Sequence, residues 1–170
     1  MTPTLRTERL TLCPITENHF EPLAAFYASD RSRFVGGPTT AERTWRTLAT
    51  EVGHWGLRGY GRFAVEETAT GRMVGIVGPW NPHGWPEPEL GWDLMNGSEG
   101  KGYATEAAQA ARNWAYETLA WKTAISLVAD GNDASARVAQ RLGCSADGLF
   151  THEVFGQMSV WRHPGPEDVA

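Results

Sequence analysis

Two glycines one residue apart, Gly100-Lys101-Gly102, stand where a strand pattern ends near Met95 and an alanine-rich helical pattern begins, and this junction restricts the fold more than any other stretch. The first N–H groups of a helix have no intrahelical acceptor, and the helix dipole adds positive potential at the same end. Glycine there leaves the backbone open to an approaching diphosphate. A plain tight turn would also use these two glycines, so the neighbours must decide. A Walker loop, G-x-x-x-x-G-K-[ST], fails because Lys101 is followed by Gly102 and Met95 stands five residues before Gly100. The dinucleotide fingerprint G-x-G-x-x-G lacks its third glycine, since Thr105 stands there.

The helix after the turn, Gly102–Leu119, has Tyr103, Ala107, Ala111, Trp114 and Thr118 near one face and is the longest helix expected. Strands are expected at about Arg9–Ile15, Arg62–Glu66, Met73–Trp80, Glu89–Met95, Thr123–Val128, Ala146–Phe150 and Glu153–Trp161. Helices are expected from His19 to Ala28, with Leu23, Phe26 and Tyr27 inward, and from Thr39 on, with Trp45, Leu48, Ala49 and Val52 inward until Gly53, Gly56 and Gly59 end it. A fourth helix, Asp133–Leu142, follows a capping candidate at Asn132. Thr68–Gly71 reads as a hairpin turn, and Asn81–Pro88, with three prolines and a glycine, as a stiff loop. This order of elements means an α/β (α+β) fold in a single domain over residues 1–163, with 164–170 a disordered tail.

With 170 residues and 41% hydrophobic content the chain can bury one core, and no apolar run approaches a membrane span. Charges within Met1–Leu10 leave no signal peptide, so a cytoplasmic location is expected. Cys13 and Cys144 lie far apart, without metal-ligand spacing, and no metal is expected. A net charge of −5 argues against a sequence-independent grip on nucleic acid.

The run from Gly100 to Ala107, the strand Thr123–Val128, and Asn132-x-x-Ser135 leading to Arg141-Leu-Gly143 together resemble the GNAT superfamily of acyl-CoA-dependent N-acetyltransferases. The resemblance is strongest from Glu89 to Cys144, and Leu5–Leu12 is similar to the opening of the RimJ/RimL, or ribosomal-protein-alanine, branch. It implies a mostly antiparallel sheet of about six or seven strands flanked by about four helices, with one strand pair splayed to admit acyl-CoA. It also implies transfer of an acetyl group from acetyl-CoA to a primary amine, on a protein N-terminus or a small molecule, by direct attack on the thioester. The family's Q/R-x-x-G-x-G/A loop matches at Gly100 and Gly102, while Gly97 departs from its first position. Cofactor contacts are thereby expected from Leu94, Met95, Asn96, Gly100, Lys101, Gly102, Tyr103, Ala104, Thr105, Asn132, Ser135 and Arg137.

The backbone N–H of Leu94 would polarise the thioester carbonyl, and Ser135 or water would protonate the leaving thiolate, because the position of the family's tyrosine is Ala139. Glu89 is the first candidate for the base that frees the amine's lone pair, ahead of His83 and His152. Each role has a plainer alternative: Glu89 a solvent-facing strand residue, Asn132 a helix cap, Ser135 a small residue in a tight seam, Lys101, Arg137 and Arg141 solvated charges. Trp55, Trp80, Trp85 and Trp92 flank the loops where an acceptor would enter, whereas Trp45, Trp114 and Trp121 read as core packing. The departures at Gly97 and Ala139 leave a second reading, a non-catalytic acyl-CoA-binding or sensing domain. Oligomeric state, monomer or homodimer, is left open.

Overall fold

A computed structural model describes residues 2–169. Eight strands form one sheet in the order β1-β2-β3-β4-β5-β6-β8-β7. The strands are β1 (Leu5–Arg6), β2 (Leu10–Cys13), β3 (Phe63–Glu67), β4 (Met73–Trp80), β5 (Glu89–Leu94), β6 (Ile125–Ala129), β7 (Ser145–His152) and β8 (Gly156–Arg162). The helices are α1 (Phe20–Tyr27), α2 (Ala41–Arg58), α3 (Tyr103–Thr118) and α4 (Asp133–Arg141). All neighbouring pairs are antiparallel except β5 with β6. The two-residue strand β1 and a 3-10 turn at Asp30–Phe34 are too short for a periodic signal in the sequence.

α3 lays a stripe of small side chains, Ala104, Ala107, Ala108, Ala111 and Ala115, all buried, onto the sheet. Alanine there keeps the helix backbone close to Leu10, Leu12, Phe63, Val65, Val74 and Leu90 in the larger core. On the other side Leu23, Phe26, Tyr27 and Leu48 of α1 and α2 pack with Ala64, Ile76 and Met95.

α2 departs from the expected pattern. It runs through Gly53 and Gly56 and ends only at Gly59, whose left-handed φ of 77° closes the helix. Its buried residues are Thr44, Leu48, Glu51 and His54, while Trp45 and Val52 are about half exposed and Leu57 is largely exposed. A face carrying an acid and an imidazole is turned inward because both side chains are paired there. His54 donates from Nδ1 to Tyr60 O (2.7 Å) and accepts from Asn81 N at Nε2 (3.1 Å), and its ring stacks on Trp80. The segment 164–169, expected as a loose tail, folds back through a 3-10 turn at Pro166–Asp168, and Tyr116 Oη donates to Pro164 O at 2.6 Å.

Candidate active site

The sheet opens between β5 and β6. These strands are paired at one rung, Glu89 opposite Ile125, where Ile125 N donates to Pro88 O (3.1 Å). Beyond it they diverge towards the end of β5, where the glycine turn begins. Met95 N donates to Val74 O at 3.0 Å, and because alternate residues of an antiparallel strand turn their N–H to opposite edges, the N–H of Leu94 faces the opening.

A cleft of about 720 Å³ runs through this opening, lined among others by Tyr27, Glu51, Arg62, Trp80, Trp85, Glu89, Trp92, Asp93, Leu94, Asn132, Ser135 and Arg137. A second, of about 610 Å³, lies at the start of α3 and is lined by Gly102, Tyr103, Thr105 and Gln109. Leu94, Gly100, Ala104, Val138 and Arg141 line both, so the two are continuous.

Gly97, Gly100 and Gly102 all have left-handed φ, of 78°, 72° and 79°. A Cβ at Gly97 or Gly100 would meet nothing within 4 Å, so glycine is required here by backbone conformation rather than by crowding within the chain. From Gly102 the chain enters α3, whose first intrahelical acceptor is used by Glu106 N at 3.1 Å. The N–H groups of Tyr103, Ala104 and Thr105 therefore have no partner in their own helix. Thr105 Oγ1 is buried beside them and has no hydrogen-bond partner among the described residues. A hydroxyl buried without a partner costs roughly 1–3 kcal/mol, which an anion seated on the turn would relieve.

The turn is anchored through Arg9, which no spacing in the sequence singles out, and through Glu106 and Tyr103 of α3. Arg9 donates from Nη1 to Lys101 O (3.0 Å), lies over the Tyr103 ring at 4.9 Å and pairs with Glu106. Glu106 also accepts from Thr7 Oγ1 (2.6 Å) and Arg9 N (3.0 Å). Partial burial pushes the Glu106 carboxyl up, but these hydrogen bonds and the Arg9 charge outweigh it and hold it below its ordinary range. Tyr103 Oη donates to Glu67, fixing the first residue of α3 to β3.

Asn132 caps α4, its Oδ1 accepting from Ser135 N at 3.2 Å, and Ser135 Oγ accepts from Trp92 Nε1 at 3.3 Å. Both still line the cleft, so cap and site coexist. Ala139 is on the inward face of α4, fully buried in the core. Three expected residues line neither cleft. Met95 packs in the core under α1 and α2. Asn96 turns its side chain to Ala25 O (3.2 Å) and Arg31 (3.0 Å). Lys101 is exposed, with Nζ 5.9 Å from the Tyr103 ring centre. Of the tryptophans, Trp80, Trp85 and Trp92 line the cleft, but Trp55 packs on Phe63 and Trp114 and donates to Arg62 O. Trp45, expected in the core, lies edge-on to Phe20 at the surface.

Glu89 is 7% exposed and accepts from Leu127 N (3.0 Å) and from the Trp85 indole N–H. Burial pushes its carboxyl up; the two donors and Arg62 oppose this without cancelling it. Further along the same face of β5, Asp93 pairs with Arg62 Nη1 (2.7 Å), whose other side is gripped by Glu51. This buried Glu51–Arg62–Asp93 trio carries one net negative charge. No sequence motif marks it, because its members come from α2, the approach to β3, and β5. Of the histidines, His83 is exposed and His152 Nδ1 accepts from Val154 N and Phe155 N at the β7–β8 tip.

One trio outside the cleft, Cys13, His19 and Glu66, has ligand atoms within 4.8 Å of one another. His19 Nδ1 accepts from Thr16 N at 2.9 Å, so Nε2 carries the proton and donates to Glu66 at 3.2 Å. That tautomer has no lone pair left for a metal ion.

Residues 9–145, which hold the glycine turn and the split between β5 and β6, match the family model of the acetyltransferase (GNAT) domain. The chain belongs to the GNAT acetyltransferase family. An acetyltransferase from Agrobacterium tumefaciens str. C58 is similar to this GNAT chain at 41% identity over 96% of this chain and 95% of that one, with a TM-score of 0.87. Lower identities show a shared fold. The ribosomal-protein-S5-alanine acetyltransferase of Vibrio fischeri is 16% identical over 98% of both chains, TM-score 0.73. RimL, the ribosomal L7/L12 alpha-N-protein acetyltransferase, in complex with coenzyme A, is 15% identical over 95% of this chain and 98% of that one, TM-score 0.71. Neighbours of this GNAT chain thus include the RimL-type enzymes that its opening residues resemble. No helix among the described residues is long and apolar enough to cross a membrane.

Proposed function

We propose that this GNAT protein transfers the acetyl group of acetyl-CoA to a primary amine, with Glu89 as the proton acceptor. The observation that carries the reading is the continuous passage from the unpartnered amides and orphan hydroxyl at the start of α3, past the free edge of β5, to the buried carboxylate of Glu89. A pyrophosphate seated on residues 102–105 puts the pantetheine arm along β5 as an added strand would lie, next to the N–H of Leu94. That amide would stabilise the oxyanion of the tetrahedral intermediate.

The amine arrives as an ammonium ion, and the cleft suits that form. The formal negative charge of the Glu51–Arg62–Asp93 trio and the ring of Trp85 attract a cation. Glu89, raised by burial, accepts its proton directly or through one water, and the free lone pair attacks the thioester carbon. Attack leaves the nitrogen with one proton more than the amide carries; as the intermediate collapses to the amide, that proton passes through water or the Ser135 hydroxyl to the departing thiolate. Either route serves, since Ala139 supplies none. The acceptor is a small-molecule amine or a protein N-terminus, and cytoplasmic acetyl-CoA is the donor.

The test is calorimetric binding of acetyl-CoA followed by thiol release with a panel of amines and N-terminal peptides. Binding with turnover on at least one acceptor is expected. Binding without turnover on any of them would favour a sensing domain, and absence of binding would refute the cofactor assignment.

A further inference from the structure

In a continuous parallel pair, the ladder bond after Ile125 N to Pro88 O would run from Leu127 N to Leu90 O. That rung is absent, yet neither of its groups is left bare. Leu127 N donates to the Glu89 carboxylate at 3.0 Å, and Leu90 O accepts from Ser126 Oγ at 2.6 Å. Two side chains thus stand in for one backbone bond and keep the strands from closing.

Ser126 is held in turn. It is 2% exposed, and its Oγ lies 2.8 Å from His163 Nε2. With its single proton given to Leu90 O, the hydroxyl accepts from His163 Nε2–H, and this tautomer leaves Nδ1 to accept from Arg112 Nη1 at 3.4 Å. Arg112 is anchored by donating from Nη1 to Leu142 O at 2.7 Å. Burial, and then the charges of Arg112 and Arg162, push His163 down to about 3, so the imidazole stays neutral and the direction of the relay is fixed at working pH. His163 is 2% exposed and lines neither cleft, so its effect on the site passes through Ser126.

We propose that the Arg112–His163–Ser126 relay positions the fork, setting the residue at which β5 and β6 part and the place of the Glu89 carboxylate within it. The proposal rests on the cofactor reading above, because the open edge matters to catalysis only if the acyl-CoA arm lies there. Removing the Ser126 hydroxyl frees Leu90 O to take Leu127 N. The strands then close by one rung, and Glu89 loses one of its two donors while still facing Trp85, Arg62 and Asp93. A carboxylate that loses a donor titrates higher.

The experiment compares wild type, Ser126→Ala, Ser126→Thr and His163→Ala. Expected for Ser126→Ala are a KM for acetyl-CoA raised about tenfold, equivalent to about 1.4 kcal/mol, an acid limb of kcat/KM moved to higher pH, and a crystal structure in which Leu127 N bonds Leu90 O. Ser126→Thr should restore all three, and His163→Ala should move them the same way. Unchanged KM and pH profile in both alanine variants, with only Tm lowered, would reduce the relay to packing and overturn the proposal. If the wild type itself failed to bind acetyl-CoA, the functional reading would fall. The Ser126→Ala structure would still decide whether the hydroxyl holds the fork open.

Discussion

Replacing Arg62 with methionine tests the electrostatics of the cleft floor. The guanidinium touches Glu51 and Asp93, whose side chains are 2% and 8% exposed, and is itself 12% exposed. The substitution keeps much of the apolar stem but leaves two buried carboxylates without a counter-charge. Breaking a buried pair by removing one partner costs about 3–5 kcal/mol, and in a chain of this size each kcal/mol lowers Tm by roughly 2–4 °C, so a drop of about 6–20 °C is expected at pH 8. The sign of the pH dependence is the sharper readout. In Arg62→Met two buried carboxylates face each other without a counter-charge, and folding with either acid neutral avoids the cost of burying its charge. The deficit relative to wild type should therefore shrink as pH is lowered from 8 to 5. Asp93→Asn, which leaves one acid facing one guanidinium, should cost much less. Thermal unfolding of the three proteins across that pH range gives the answer, and a deficit in Arg62→Met below about 1 kcal/mol, or one independent of pH, would refute the reasoning.

Three further outcomes are expected. Trp85→Phe removes an indole donor from Glu89 and should move the acid limb of the pH–rate profile up by about one to two pH units, as a charge-assisted hydrogen bond of about 1.5–3 kcal/mol would; an unmoved limb would take Glu89 out of the mechanism. Thr105→Val deletes an unpartnered buried hydroxyl, so Tm should hold or rise while the calorimetric Kd for acetyl-CoA worsens about tenfold or more. Gly100→Ala should cost about 1–2 kcal/mol in urea unfolding through its left-handed φ alone, and Gly100→Asn less, with no steric contribution. Equal costs for alanine and asparagine would point to crowding that the backbone does not show.

Where periodicity carried the signal, the fold was legible. The strand Met73–Trp80 lies at its expected bounds, and the inward residues of α1 are Leu23, Phe26 and Tyr27 as expected. The glycine turn also announced itself, since left-handed backbone at 100 and 102 leaves few other residue types. The inward face of α2 was hidden for a physical reason: it holds the polar Glu51 and His54, whose partners Arg62, Tyr60 and Asn81 come from outside the helix, so apolar spacing does not mark it. The same limit hid the Arg9–Glu106 anchor and the Ser126–His163 relay, because contacts spanning 97 and 37 positions have no local spacing to reveal them. The contacts expected of Met95 and Asn96 follow from the family resemblance; Met95 shares its face of β5 with Glu89 and Asp93 but packs beneath α1 and α2, and Asn96 is held by Ala25 O and Arg31.

Because β5 and β6 share one rung, the sheet consists of two mechanical units, β1–β5 and β6–β8–β7, hinged at Glu89 and Ile125. One unit carries α2, the trio and the glycine turn; the other carries the β7–β8 tip, whose His152 and Phe155 rings meet Trp85 across the cleft. Few ladder bonds transmit strain between the two. Substitutions in opposite units, away from the hinge, the Trp85 contact, the Ser126–Leu90 bond and the Arg162–Glu87 pair, should therefore combine additively in stability. Sequence change at the β7–β8 tip can thus reshape the wall of the cleft that Phe155 and Met158 supply while the trio and the glycine turn stay fixed on the other unit.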